Sequence, residues 1–165
     1  MRYWFDADSW ITTNNGPYPV SIAVGFWRWI DAEINAGRIV SPKQIYDEVV
    51  EGREKKDELA IWMRSKKTKG LCITASPEVD EKAHLIGDYV WTNPQYPNHQ
   101  RLEFSKGGDA WVIAHAWHDK GTVVSWESDR FPNSQRVRIP DVCHHFQEIR
   151  CLTLNQLIRE LNPRF

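Results

Sequence analysis

The sequence has almost no excess of charge of either sign: 21 lysines and arginines stand against 22 aspartates and glutamates, a formal net charge of −1. That excludes a general nucleic-acid coat, so any site for a polyanion must be local. Cysteine is scarce. Its three copies, Cys72, Cys143 and Cys151, are odd in number and show no CxxC spacing. This reads as a reduced, intracellular chain whose thiols are structural. No apolar run approaches the roughly 20 residues that span a bilayer, so no membrane partner is expected. The acidic, aromatic start lacks the basic and then apolar order of a signal peptide, and the expected compartment is the cytoplasm. There is no internal repeat or low-complexity stretch. A length of 165 residues suits one domain, 1–165, with a sizeable core.

Aromatic residues, by contrast, are plentiful. Nine tryptophans in this length imply an aromatic-rich interior or a stacking surface, and Trp10 is a candidate for the latter. Residues 2–6 read as a strand. The polar run Thr12 to Pro19 reads as a loop. Ile22, Phe26, Trp29 and Ile30 follow helical spacing from Ser21 to about Asn35. Ser41-Pro42-Lys43-Gln44 carries the signature of a helix start, with serine as cap and proline at the first position. A charged helix through Leu59 to Met63 ends in the basic run Arg64 to Lys69. Residues 71–75 read as a strand, and Ser76-Pro77 opens a helix to about Trp91.

Prolines and asparagines mark 92–100 as an exposed loop. Gly107-Gly108-Asp109 then precedes a helix, Gly121 to Trp126 is β-rich, and a short helix from Pro140, a strand near Ile149 to Leu152 and a helix to Leu161 follow. Strands alternating with helices predict an α/β fold with a mostly parallel sheet covered on both faces. Ligands of such sheets bind at the carboxyl ends of the strands.

That rule gives meaning to "WFDADSW", residues 4–10. A carboxylate beside a core strand is costly unless hydrogen bonds, a cation or a metal compensate it. Asp6 and Asp8 lie just beyond the first strand, Glu127 just beyond "TVVSW", Asp109 at a helix start after Gly-Gly, and Glu48 one turn into a helix. Acids from four separated places at one sheet edge suit a hard divalent cation with oxygen ligands, Mg²⁺ or Mn²⁺. Each acid also has a plainer reading. Asp109 caps its helix, Glu48 is a solvated helix residue, and Glu127 is an ordinary loop acid.

The order strand–D-x-D, "YDEV", "GGDAWVIAHA" and "VVSWESDRF" resembles the PIN-domain family of metal-dependent ribonucleases, in particular a PIN-like subfamily with a stretch like "RIPDVC" near its end. The resemblance runs from Tyr3 to about Leu157. It implies a three-layer α/β/α PIN-like fold and a metal-binding, catalytic set of Asp6, Glu48, Asp109 and Glu127. Asp129 is an alternative to Glu127 as the fourth acid. Asp8 would be a hydrogen-bonding neighbour or an extra ligand, and Ser125 matches the small hydroxyl residue two positions before the fourth acid. The resemblance further implies an RNA substrate, products with 5′ phosphate and 3′ hydroxyl, and the role of toxin in a type II toxin–antitoxin pair. A small antitoxin protein and a homodimer are the partners it implies.

The basic run Arg64, Lys66, Lys67 and Lys69 is a solvated helix end or, beside a phosphodiester site, a hold on the RNA backbone, as Arg136 and Arg138 would be. Cys143, His144 and His145 with Cys151 raise zinc, but adjacent helical residues point in different directions. His115 and His118 share a helical face without a third ligand. Two other functions compete with the ribonuclease. One is a haloacid-dehalogenase-like phosphohydrolase with Asp6 as nucleophile and Asp8 as acid–base, although "GGDAWV" has no second acid four residues on. The other is a PIN-like binding module without catalysis.

Overall fold

A strand covered on both faces needs apolar side chains throughout, and the first strand has them: Tyr3, Trp4 and Phe5 are all buried. This strand, β1 (Tyr3–Phe5), is the centre of a five-stranded sheet in a computed structural model that describes residues 1–127, 129–146 and 149–165. On one side it pairs with β2 (Ile39–Pro42), which in turn pairs with β3 (Cys72–Ile73). On the other side it pairs with β4 (Thr122–Val124), and β4 with β5 (Cys151–Leu152). All four pairings are parallel and the order is β3-β2-β1-β4-β5. The α/β class and the parallel three-layer arrangement read from the sequence are therefore present.

The chain walks outward from β1 to β3 and then returns to lay β4 on the opposite flank of β1. The direction of winding reverses between β1 and β4, and a crevice opens there at the carboxyl ends of the strands. The helices on the outward walk are α1 (Ala7–Asn15), α2 (Val24–Asn35), α3 (Lys43–Glu51) and α4 (Glu58–Lys66). The return uses α5 (Pro77–Thr92), α6 (Asn98–Lys106) and α7 (Asp109–Asp119). The last of these packs on α5 and across β1, β2 and β4. Then come α8 (Ile139–His145) and α9 (Leu154–Leu161).

Four local expectations are corrected. Thr12 to Pro19 is not all loop, because α1 continues to Asn15 and buries Thr13 and Asn14. The Asn14 amide oxygen accepts from Val20 N–H at 3.0 Å, so a polar residue serves the turn from inside a helix. Ser41-Pro42 stands at a helix start but without the expected roles, since α3 begins at Lys43, Pro42 holds its cap position and no side chain bonds there. The pair ends β2, where the buried Ser41 hydroxyl donates to the Phe5 carbonyl at 3.0 Å and accepts from Trp10 Nε1 at 2.8 Å. The 92–100 stretch contains the start of α6 and the buried Tyr96. Ile22 precedes α2 and is 78% exposed.

Trp10, expected as a stacking platform for bases, is 1% exposed. It packs against Phe5, Trp27 and Trp62 at centroid distances of 4.7, 6.3 and 5.9 Å. Trp4, Trp10 and Trp27 thus supply an aromatic interior, because an indole buries a large apolar area once its N–H finds a partner, whereas Trp91 and Trp126 are exposed.

Candidate active site

Asp6 follows β1 and caps α1: its Oδ1 accepts from Ser9 N–H at 2.7 Å. Its own N–H donates to the Val124 carbonyl at 3.1 Å, which ties the end of β1 to the end of β4. The side chain is 2% exposed. Burial pushes its pKa up to about 6, against hydrogen bonds from Ser9 and the Ser125 hydroxyl that favour the charged form. Ser125 is buried just past β4, and its Oγ also accepts from Glu127 N–H at 3.2 Å. One hydroxyl therefore touches both the first acid and the backbone of the last.

Across the crevice, Glu48 on α3 reaches the start of α7, where its Oε2 accepts from Gly108 N–H at 3.1 Å. The close approach depends on glycine, since a Cβ at Gly108 would lie 2.6 Å from Ile45 Cδ1. Asp109 begins α7 but does not cap it. Gly108 holds the cap position and no side chain bonds there. The cap reading belongs instead to Asp6, where it coexists with a place in the cleft. Burial, and then the charges of Asp6, Glu48, Asp8 and Glu127, raise the Asp109 pKa well above its ordinary value. Five carboxyls from four segments thus share one electrostatic neighbourhood.

Glu127 is fixed from the other wall. Its Oε2 accepts from Ile139 N–H at 3.1 Å, and its Oε1 lies 2.7 Å from Arg136 Nη2. That Oε1 is buried, and among the described residues it makes no well-aligned hydrogen bond. The cleft has a volume of about 190 Å³. Asp129, the alternative fourth acid, is exposed and does not line it. Sequence reasoning missed Glu103, which projects from α6 into the same cleft beside Gln100 and Phe104. Only Phe104 of α6 is buried, so the helix shows no apolar stripe from which it could have been read.

The other candidates separate from this site. Lys66 is buried and pairs with Asp31 Oδ1 at 2.7 Å, lying over the Trp62 ring at 5.5 Å, so it is committed to the fold. Lys67 sits over Tyr46 at 5.4 Å and does not line the cleft. Arg136 lines it, whereas Arg138 lies over Phe131 at 4.6 Å in an adjoining groove. Cys143 is buried against the Cys151 thiol, and His145 stacks on Tyr89 at 3.8 Å. His115 is buried in a stack on Trp4 at 4.3 Å, and burial pushes its pKa down to about 4.

The donor set fits a hard divalent ion: the cleft offers carboxylate oxygens, one of them the buried Glu127 Oε1, which among the described residues is held by its ion pair with Arg136 and by no well-aligned hydrogen bond. Among the described residues, however, no three acids, cysteines or histidines stand preassembled as ligands. The acids are held by Ser9, Gly108, Ile139 and Arg136. Direct bonds from one or two carboxylates with waters between the rest are the usual way Mg²⁺ is held.

Fold and site together define a class: an all-parallel α/β/α domain with an acid-lined cleft at the point where its sheet reverses winding. The chain belongs to the family described as Domain of unknown function (DUF4411), which matches residues 3–165. No curated protein matches the sequence. Among the described residues, no helix is long and apolar enough to cross a membrane.

Proposed function

We propose that this protein is a Mg²⁺- or Mn²⁺-dependent endoribonuclease with Asp6, Glu48, Asp109 and Glu127 as its metal-holding and catalytic acids. The observation that carries the reading is the convergence of these four carboxyls on one cleft, where burial and then the neighbouring acids raise the Asp109 pKa. A bound divalent ion would supply a Lewis acid for the scissile phosphate and a water of lowered pKa.

The chain's own groups supply the rest. Ser9 and Ser125 aim the Asp6 carboxylate, and the Gly108 N–H aims that of Glu48. Asp109, buried in the cleft beside Asp6 and Glu48, would accept the proton of the attacking water in its charged form. Water adds to phosphorus as the P–O3′ bond breaks, its proton passing to the carboxylate while the departing 3′ oxygen takes a proton from solvent, giving 5′-phosphate and 3′-hydroxyl ends. A cleft of about 190 Å³ has room for a phosphodiester group. Among the described residues lining the cleft, Arg136 is the one cation that could meet the phosphate, and there is no lysine of the kind the phosphohydrolase reading would need. Following the PIN-like resemblance, we take the biological role to be that of a toxin restrained by a small antitoxin, acting as a homodimer in the cytoplasm on cellular RNA.

Purified protein and a labelled single-stranded RNA test the chemistry. Cleavage in Mn²⁺, none in EDTA, and a loss of at least about 100-fold in Asp109→Asn are expected. Hydrolysis of a small phosphate monoester with RNA left intact would favour Asp6 as a phosphohydrolase nucleophile. RNA bound but never cut would favour a binding module. Expression alone should arrest growth, and Asp6→Asn should relieve it.

A further inference from the structure

An acidic cleft repels the phosphates on either side of the one it would cut, so a bound strand needs cations close by. The cation inside the cleft, Arg136, is tied to Glu127. The groove adjoining it has the opposite character: about 530 Å³ in volume, it is lined by Arg130, Phe131, Ser134 and Arg138. The two sites share one strand of chain, since Arg136 and Val137 line the cleft while Ser134 and Arg138 line the groove.

We infer that this groove holds one unpaired nucleotide of the RNA, with its base stacked on Phe131 and its phosphate on Arg138. The inference rests on the ribonuclease reading for the identity of the ligand. Phe131 is 52% exposed, although a ring of its size is a large apolar area to leave in water. The Arg138 guanidinium lies over the ring at 4.6 Å, and its Nε is buried with no hydrogen-bond partner among the described residues. A base added to the ring extends an arginine–phenylalanine stack, the arrangement by which unpaired bases are held without sequence preference.

The groove is also preorganised. Both Asp141 carboxylate oxygens accept from Phe131 N–H, at 3.1 and 3.2 Å. Gln95 Nε2 donates to the carbonyls of Pro132 and Ser134, each at 2.6 Å. Gln100 Oε1 accepts from Val137 N–H at 3.1 Å, and Gln100 itself lines the acidic cleft. A segment with so few apolar anchors is thus pinned by side chains of α6, α8 and the turn before α6.

Fluorescence anisotropy in EDTA, with a labelled ten-nucleotide single-stranded RNA and no cleavage, tests the groove directly. Phe131→Ala should weaken binding about tenfold, and Phe131→Trp should restore it. Arg138→Gln should weaken binding and reduce the slope of log affinity against log salt by about 0.7. The same RNA annealed to its complement should bind more weakly than the single strand. Thermal melts confirm that each variant is folded. If wild type cuts RNA in Mn²⁺ but all variants bind and cleave like it, the groove is overturned and the ribonuclease reading stands. If the variants lose RNA binding while wild type never cuts, the groove stands and the nuclease fails. Equal affinity for single strand and duplex would overturn the stacked base.

Discussion

The carboxylate of Glu48 accepts a hydrogen bond from the backbone N–H of Gly108 at 3.1 Å, joining residues 60 positions apart and setting α3 against the first turn of α7. Two of the four acids, Glu48 and Asp109, owe their proximity to it. A Cβ at Gly108 would also approach Ile45 N at 3.2 Å. Gly108→Ala should therefore cost about 1–3 kcal/mol in urea denaturation and reduce activity with it. Unchanged stability and activity would show that the approach of α3 to α7 does not set the site.

Asp109→Asn should stabilise the metal-free protein. Asp6 and Asp109 both hold protons to higher pH when folded than their ordinary 3.8, so the folded chain binds more protons than the unfolded one. Their contribution to stability is full below 3.8 and is lost as pH rises through the folded values, about 6 for Asp6 and well above 3.8 for Asp109. His115 acts in the opposite direction. Lowered from 6.5 to about 4, it contributes stability above 6.5 that is lost as pH falls. The difference between variant and wild type cancels the His115 effect. In EDTA the melting-temperature gain of Asp109→Asn should be near zero at pH 4 and grow toward pH 7. Mn²⁺ at 100 times its dissociation constant should stabilise wild type by about 2.7 kcal/mol and the variant by less. Identical curves in EDTA and Mn²⁺ for both proteins would sink the metal site.

Arg136 competes with any cation for Glu127, being 2.7 Å from its Oε1. Arg136→Gln should therefore tighten Mn²⁺ binding about two- to fivefold by calorimetry, the scale of a partly exposed ion pair. Weaker binding would mean that the arginine orients Glu127 for the metal rather than occupying it.

Lys66→Ala should lower stability by about 1–2 kcal/mol through loss of its ion pair with Asp31 and of its place over Trp62, while leaving RNA affinity unchanged. A drop in affinity with stability intact would restore it as an RNA contact.

The parallel sheet and the positions of its acids were legible because strand ends, Gly-Gly turns and carboxylates are local signals. Asp6 and Glu127 follow from the rule that crevices open at carboxyl ends of strands, whereas Asp109 and Glu48 rest on the spacing of the whole acid set. What stayed hidden depended on distant partners. Ser41 looks like a helix cap until Phe5 and Trp10 claim its hydroxyl. Lys66 looks solvated until Asp31 comes within 2.7 Å. Glu103 belongs to a helix whose single buried residue leaves no periodicity. Trp10 could not be assigned to the inside or the outside from composition alone, because tryptophan serves both.

The central place of β1 has a consequence for how the protein is made. Its second edge waits for β4, and the Asp6 N–H waits for the Val124 carbonyl. The roughly 120 residues between them take about 6–24 s to synthesise. Through that interval the first strand is an open edge, and Asp6 has neither Ser125 nor Glu127 beside it. Ile139, which fixes Glu127, is made later still. No nascent chain that ends before Ile139 carries an assembled cleft, so the order of translation itself sets when the four acids first come together.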